Sequence, residues 1–475
     1  MTAEHKRHAA YKASGSPWIG DIPEHWTASK LRYLTRARKE RDRPELPLLS
    51  VVRDRGVINR MTSTDISNHN RIPDDLSNYK VARAGDLVVN KMKAWQGSLG
   101  ISPIDGIVSP AYFVFDTTFS NRDFANTLFR SAPYISHFGS LSDGVRVGQW
   151  DLSLSGLREI PVFMPPADEQ LAIVKYLRYI EREVGAAVRA KRRLASLLNE
   201  QKLAIVNHLI TRGTRGPTAS KQSAILGLSD IPEHWDSMRL KRATSHIVDC
   251  LHATPKYVAS GGYPVIRTAD IEPGRTLHEN AYRISPKEYS RWTSRLEPRA
   301  DDILYSREGG RFGIAAPVPP EVRLCIGQRM VAIRINEAHS SEYMMWQLNC
   351  RHVFDQASAD MVGSASPRVN VEQIKNYRIT APPLKEQQEI VERINLSCAK
   401  IDSVIRRTER EIALLREYHT RLTADVVTGK LDVRAAAAAL PDVDPHDPDL
   451  VAVYDTDEDG TNADLDRDGV TEESM

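Results

Sequence analysis

The chain says two phrases twice. Asp21-Ile22-Pro23-Glu24-His25-Trp26 returns as Asp230-Ile231-Pro232-Glu233-His234-Trp235, 209 residues further on. Pro165-Pro166-Ala167-Asp168-Glu169-Gln170 returns as Pro382-Pro383-Leu384-Lys385-Glu386-Gln387, 217 residues further on. A period above 200 residues is far too long for a solenoid unit, so the repeat is a duplicated domain together with the segment that follows it. Whatever fold the first half takes, the second half has to take a version of it.

The 475 residues leave room for two or three bodies that each bury a core. The N-terminal stretch is polar, with Lys6, Arg7 and Lys12, and lacks the apolar segment of a signal peptide. No apolar run approaches the roughly 20 residues of a membrane span. Cys250, Cys325, Cys350 and Cys398 show neither a disulfide framework nor a paired metal spacing. The expectation is therefore a cytoplasmic protein with no membrane partner and no metal of its own. A net charge of +2 hides an asymmetry: Pro441 to Met475 carries −12, so the body carries +14. A basic body suits a polyanion partner, because neutralised phosphates release counterions.

Residues 1–17 read as an N-terminal arm and 18–165 as a first domain. There Leu48–Val52, Asp86–Val89 and Tyr112–Phe115 read as strands among glycine-marked turns, and Asn121–His137 as a helix. After a linker at 213–226, a second domain at 227–382 repeats the order. Its strands are Tyr263–Ile266, Asp302–Tyr305 and Met330–Ile333, and its helix is Ser341–Phe354. Arg299-Ala300-Asp301-Asp302-Ile303-Leu304 stands where Arg83-Ala84-Gly85-Asp86-Leu87-Val88 stood.

Each domain is followed by a long helical stretch, at 166–212 and 383–430. In the first, no proline follows Asp168 and Gly185 is the only glycine before Thr211. Leu177, Val184, Val188, Leu198 and Ile205 step along it at coiled-coil spacing. Ile394, Ile401, Ile405, Ile412, Leu415 and Leu422 keep the same register in the second. Two such stripes in one chain should pack on each other, antiparallel. The fold class is α+β, with an internal pseudo-two-fold repeat joined by two long helices. Residues 431–475 read as a disordered acidic tail. Its two Asp-x-Asp-x-Asp-Gly runs, at Asp455 and Asp464, lack the bidentate Glu that a calcium loop carries at its twelfth position.

Two alternatives for the doubled phrases and two for the whole chain can be weighed. Trp26 and Trp235 could stack on bases, but stacking would not require five repeated flanking residues, so a core anchor fits better. Glu169 and Glu386 could act as acid–base groups, but a carboxylate in a first helical turn is explained by the helix dipole. An enzyme would need a methyltransferase Asn/Asp-Pro-Pro-aromatic phrase, a P-loop or a glycine-rich cofactor turn, and none is present. A coiled-coil scaffold without DNA readout is disfavoured by the basic body and the two large, divergent domains.

The arrangement resembles the DNA-specificity subunit of Type I restriction–modification systems. The resemblance lies in the opening phrases, with Gly20 ahead of the first and Ser229 ahead of the second, and in the two Pro-Pro-x-x-Glu-Gln phrases before long helices. It extends to the stretches Gly85–Gly97, Gly106–Tyr112, Cys325–Arg329 and Pro367–Asn370, and covers about residues 18–430. It implies two target recognition domains that each read one half of a split site in double-stranded DNA, with the helices as spacer. It also implies docking of two adenine methyltransferase (modification) subunits and of restriction subunits. S-adenosylmethionine, ATP and magnesium would be used by those partners, and this chain would have no catalytic residue or cofactor. Arg and Lys suit guanine and Asn and Gln suit adenine. Candidate DNA contacts on turn segments are therefore Lys91, Lys93, Gln96, Arg146 and Gln149 in the first domain. In the second they are Arg307, Arg311, Gln328, Arg329, Arg368 and Asn370.

Overall fold

A computed structural model describes residues 6–453 apart from 54, 61–74, 144–149, 216–218, 259, 310, 360–367, 445, 446 and 448. The chain divides into two compact units, one made of residues up to 193 together with 408 onward, the other of 194–407.

Each unit is built on a four-stranded antiparallel sheet of the same topology. In the first unit the order is Thr35–Ala37, Tyr112–Thr117, Leu87–Asn90, Leu99–Ile101. In the second it is Thr244–Asp249, Met330–Ile335, Ile303–Ser306, Ala315–Pro317. Numbered along the chain, both run first, fourth, second, third. The central strands read Leu-Val-Val-Asn and Ile-Leu-Tyr-Ser and are buried throughout, as strands covered on both faces must be.

The start and the end of each domain are zipped together. Thr27–Lys30 pairs antiparallel with Pro161–Met164, and Asp236–Arg239 with Arg378–Ala381. The repeated phrases flank these ribbons, which is why they bound the domains.

A buried ion pair recurs at the second strand of each sheet. Asp86 accepts from the backbone N–H of Arg83 at 2.8 Å and from the Arg38 guanidinium at 2.8 Å. Asp302 accepts from the N–H of Arg299 at 3.0 Å and from Arg334 at 2.8 and 2.7 Å. Both carboxylates are buried, so they need these partners to remain charged. The turn before each requires a left-handed residue. Gly85 fills it at φ 97°, Asp301 at φ 69°.

The long helices run Ala167–Arg212 and Leu384–Val427. In the first unit, Ile173, Tyr176 and Leu177 share an apolar cluster with Leu422, Val426 and Val427, while Val184 and Val188 share one with Ile412 and Leu415. In the second, Val206, Leu209 and Ile210 cluster with Ile390, Ile394 and Cys398. Numbers rise on one helix as they fall on the other, so within each unit the segments are antiparallel. Leu177, Val184, Val188, Ile394, Ile405 and Leu422 are buried; Leu198, Ile205, Ile401, Ile412 and Leu415 are half-buried. The polar interruptions of the stripe find opposite charges: Lys191 pairs with Glu411, and Lys202 with Asp402 at 2.7 Å. Among the described residues no helix is long and apolar enough to cross a membrane.

Several expectations need correction. The arm is not free: Tyr11–Ala13 pairs antiparallel with Asp21–Pro23. The stretch read as a linker does the same, Ser220–Gln222 pairing with Asp230–Pro232. The 209-residue register holds through both hairpins, so the repeat starts about ten residues before its audible phrase. The single helices expected at Asn121–His137 and Ser341–Phe354 are each broken in two. The first breaks at Ser131, where Pro133 can sit only in the opening turn of a new helix. The second breaks at Asn349, whose amide accepts from the Ala315 N–H at 3.0 Å and donates to its carbonyl at 2.9 Å.

The segment after 430 is partly ordered. Val433 and Ala437 join the first unit's core. Val453 packs on Val184 and Val188, and Asp449 pairs with Arg189 at 2.7 Å. Gly185 now has a reason: a Cβ there would lie 1.8 Å from the Asp449 carbonyl oxygen. The acidic runs at Asp455 and Asp464 lie outside the described residues.

The turn before each buried carboxylate yields a paired prediction. Asp301→Gly should be neutral or stabilise by up to about 1 kcal/mol, because it relieves a non-glycine left-handed residue. Gly85→Ala should destabilise by about 1–3 kcal/mol, since its Cβ would meet the Arg122 guanidinium at 2.3 Å. Urea unfolding of both variants tests the contrast.

Candidate nucleic-acid interface

The two doubled phrases meet in space. Glu169, in the first turn of the first long helix, is buried. It accepts from Trp26 Nε1 at 3.0 Å and lies 2.7 Å from His25 Nε2. In the second unit Glu386 lies 2.9 Å from His234 Nε2 beside the fully buried Trp235. The glutamine of each Pro-Pro phrase folds back on the first proline: Gln170 donates to the Pro165 carbonyl and Gln387 to that of Pro382, both at 2.8 Å.

The same tryptophans touch the end of the other long helix. A Cβ on Gly429 would meet Trp26 at 3.1 Å, and one on Gly213 would meet Trp235 at 3.2 Å. Each opening phrase is thus a clasp that holds the start of one long helix and the end of the other against its own domain. The glutamates keep the helix-entry position expected of them and add a buried hydrogen-bonded contact to it. The copies differ at the indole: Trp235 Nε1 has no hydrogen-bond partner.

Of the candidate DNA contacts, Lys91, Lys93 and Gln96 in the first unit and Arg307, Gln328, Arg329, Arg368 and Asn370 in the second stand at or beside the end of the second strand of each sheet. In the first unit the chain leaves Leu87–Asn90 into a short 3-10 turn at Ala94–Gln96. The Lys91 carbonyl accepts from the Leu152 N–H at 2.8 Å, and its ammonium pairs with Asp151 at 2.9 Å. Lys93 is exposed, Gln96 is half-buried, and Trp95 packs on Trp150 with ring centroids 5.2 Å apart. Ser142–Asp143 pairs with Asp151–Leu152 to form a hairpin stem beside this turn. Arg146 and Gln149, between its strands, lie outside the described residues.

The second unit repeats the joint. The Arg307 carbonyl accepts from the Val369 N–H at 3.1 Å, as Lys91 does from Leu152. Ser153 and Asn370, the next residues, each cap a short helix, accepting from Gly156 and Gln373. Asn370 is therefore engaged as a cap, with Gln373 answering it in a capping box. Arg307 is buried and committed to Asp249 at 3.0 Å and the Val369 carbonyl at 3.3 Å. Arg368 is exposed and lines one concavity with Arg307, Asp249, His252 and Glu372. Arg329 stands at the same strand end, its carbonyl accepting from the Arg307 N–H at 3.1 Å, with Gln328 exposed beside it and bonded to Thr254 at 3.3 Å. Arg311 is not part of this group. It donates to the Ala269 carbonyl at 3.0 Å and lines a different hollow with Lys202, Asp402 and Arg406 of the long helices.

This strand end thus brings together Lys91, Lys93 and Gln96 in one unit, and Arg307, Gln328, Arg329, Arg368 and Asn370 in the other. Sequence reasoning could not separate committed side chains from free ones, because Asp249 and Asp151, which occupy Arg307 and Lys91, are distant in the chain. It also missed the Trp95–Trp150 pair, whose members lie 55 residues apart.

Comparison with known proteins agrees with this architecture. Residues 251–407 match the family described as the Type I restriction modification DNA specificity domain. The chain is similar to the Type I restriction enzyme MjaVIII specificity subunit of Methanocaldococcus jannaschii, 21% identical over 58% of this chain and 63% of that protein. It is also similar to the Type I restriction enzyme EcoBI specificity subunit of Escherichia coli, 22% identical over 67% of this chain and 66% of that protein. The matched part spans just under two thirds of the MjaVIII subunit's length. A solved structure concerned with complex assembly and conformational transition of the type I R-M system shares the fold. Its TM-score is 0.52 at 16% identity, and the match covers 86% of this chain and 99% of that one. Residues 251–407 thus carry the match to a DNA-specificity domain, and the fold with its two long helices is the one shared with that solved structure. The resemblance read from the repeated phrases, to the specificity subunits of Type I restriction–modification systems, holds.

Trp26→Phe removes the hydrogen bond to Glu169, whereas Trp235→Phe removes none. The first should cost about 1–3 kcal/mol more than the second, read by hydrogen exchange in each unit. For DNA, Lys93→Ala and Arg368→Ala should weaken binding and lower the salt slope by about 1 each while leaving stability within about 0.5 kcal/mol. Arg307→Ala should instead destabilise the fold by about 1–3 kcal/mol, because it removes a buried side chain and leaves Asp249 the Cys250 N–H and His252; thermal melting beside a salt-titrated binding assay separates the two behaviours.

Proposed function

We propose that this chain is a non-catalytic DNA-specificity subunit, each domain reading one half of a bipartite site in double-stranded DNA. The observation that carries the reading is the duplication itself. The two units share a sheet order, a domain-closing ribbon and a clasp onto paired long helices, while their turn segments differ. A symmetric dimer reads two equal half-sites. A single chain with two diverged readers can hold two unequal half-sites.

The antiparallel helices set the distance between half-sites and offer the surface on which two adenine methyltransferase subunits dock, with restriction subunits joining that assembly. S-adenosylmethionine, ATP and magnesium belong to those partners, and the chemistry takes place in the cytoplasm, where the chromosome lies. Lys93, Arg329 and Arg368 are the side chains best placed to meet DNA, and Arg146 and Gln149 extend the first set. The basic body, +14 before Pro441, supplies the sequence-independent part of the affinity.

The experiment is a methylome. Mapping methylated adenines with and without the gene should reveal one split motif that depends on it. Replacing residues 18–165 with a relative's domain should change one half of that motif only. Removing one heptad from each long helix should shorten the gap or abolish methylation; an unchanged motif and gap after that deletion would sink the spacer role.

A further inference from the structure

The first clasp holds more than the second. His8 is buried, and neither of its ring nitrogens makes a hydrogen bond. Its Nε2 lies 3.8 Å from Glu169 Oε1 and its Nδ1 lies 3.9 Å from Asp432 Oδ2. The His8 and His25 rings are tilted at 49° with centroids 5.4 Å apart. One donor atom from each of His8, His25 and Glu169 falls within 4.8 Å of the others. The backbone fixes His8 there: the Asp432 N–H donates to the Lys6 carbonyl at 2.8 Å, and the Tyr11 hydroxyl donates to the Lys430 carbonyl at 3.1 Å.

We propose that His8, His25 and Glu169 form a site for a divalent cation of the zinc class, with Asp432 as the carboxylate behind His8. Two imidazoles and one carboxylate are a donor set zinc takes readily, at about 2.0–2.1 Å. Around a tetrahedral ion of that size the donors stand roughly 3.3 Å apart. The His8–Glu169 gap therefore has to close slightly and the His25–Glu169 hydrogen bond has to open. Neither movement is large. A metal-bound histidine usually turns its other nitrogen to a carboxylate; Asp432, 3.9 Å from His8 Nδ1 and held by Arg434 at 2.9 and 2.7 Å, would have to draw closer to serve as that group. His25 is 38% exposed at its side chain and provides the way in.

Bound there, the ion would tie the segment before the first strand and the opening phrase to the start of the first long helix. The second clasp cannot do this. It keeps His234 and Glu386, but in the sequence the residue 209 places after His8 is Pro217, which has no ligand atom. The three ligands are too far apart in the chain to form any contiguous metal pattern, which is why the sequence pointed to none.

The test uses the full chain without a histidine tag, stripped with EDTA and titrated with Zn2+ by calorimetry and with Co2+ by visible absorption. The expected result is one equivalent bound, with a tetrahedral Co2+ band and a raised melting temperature. His8→Gln and His25→Gln should each weaken binding at least about 100-fold, and Asp432→Asn by about 10–100-fold. His234→Gln should leave binding unchanged. Because His8→Gln alters a buried position, the half-exposed His25→Gln variant, checked to melt normally without metal, keeps the test decisive. Uptake equal in the wild type and in His25→Gln, or lost equally in His234→Gln, would overturn the site. The DNA-reading role does not depend on it: a methylome can be correct with or without the metal.

Discussion

The contact on which the rest of the structure depends is a buried glutamate meeting a histidine and a tryptophan. Glu169 with His25 and Trp26, and Glu386 with His234 and Trp235, join sequence positions 143 to 152 residues apart. A carboxylate taken out of water is costly unless it is hydrogen-bonded. At each clasp that cost is met by placing the carboxylate at the positive end of a helix and against an imidazole. The tryptophan above it then closes on a glycine at the end of the opposite long helix. One small polar contact thereby aligns three pieces: a domain, a helix start and a helix end.

This arrangement explains which parts of the chain are free to diverge. The clasp, the closing ribbon and the sheet order are shared, and they are the parts that carry the frame. The turn at Lys91–Gly97 in one unit and Arg307 in the other follow equivalent strands but differ in residue type. The polar interruptions of the helix stripe fit the same logic. Lys191–Glu411 and Lys202–Asp402 are worth little in stability as half-exposed pairs, but a misregistered helix pair would leave each of them opposite the wrong partner.

The two copies are not equal. The first has an extra histidine in its clasp and an ordered segment beyond the second long helix, with Val433, Ala437 and Val453 packed into its unit and Gly185 shaped to admit Asp449. The second has a tryptophan whose indole N–H is unanswered.

Much of this was legible in the residue order. The repeated phrases, the coiled-coil stripe from Leu177 to Ile205 and its echo from Ile394 to Leu422 already imply two like domains and two paired helices. Periodicity and identity are local properties, and local properties survive in a string of letters. The tertiary structure alone decided the rest. It showed that the doubled phrases are one clasp, that Arg307 and Asn370 are occupied while Lys93 and Arg368 are open, that the helices after Asn121 and Ser341 break, and that Tyr11–Ala13 and Val433 belong to the fold. Each of these turns on a contact between residues far apart in the chain, with Asp249, Ala315 or Glu169 on the far side. Which distant group lands against a given side chain is settled by packing, not by its neighbours in sequence.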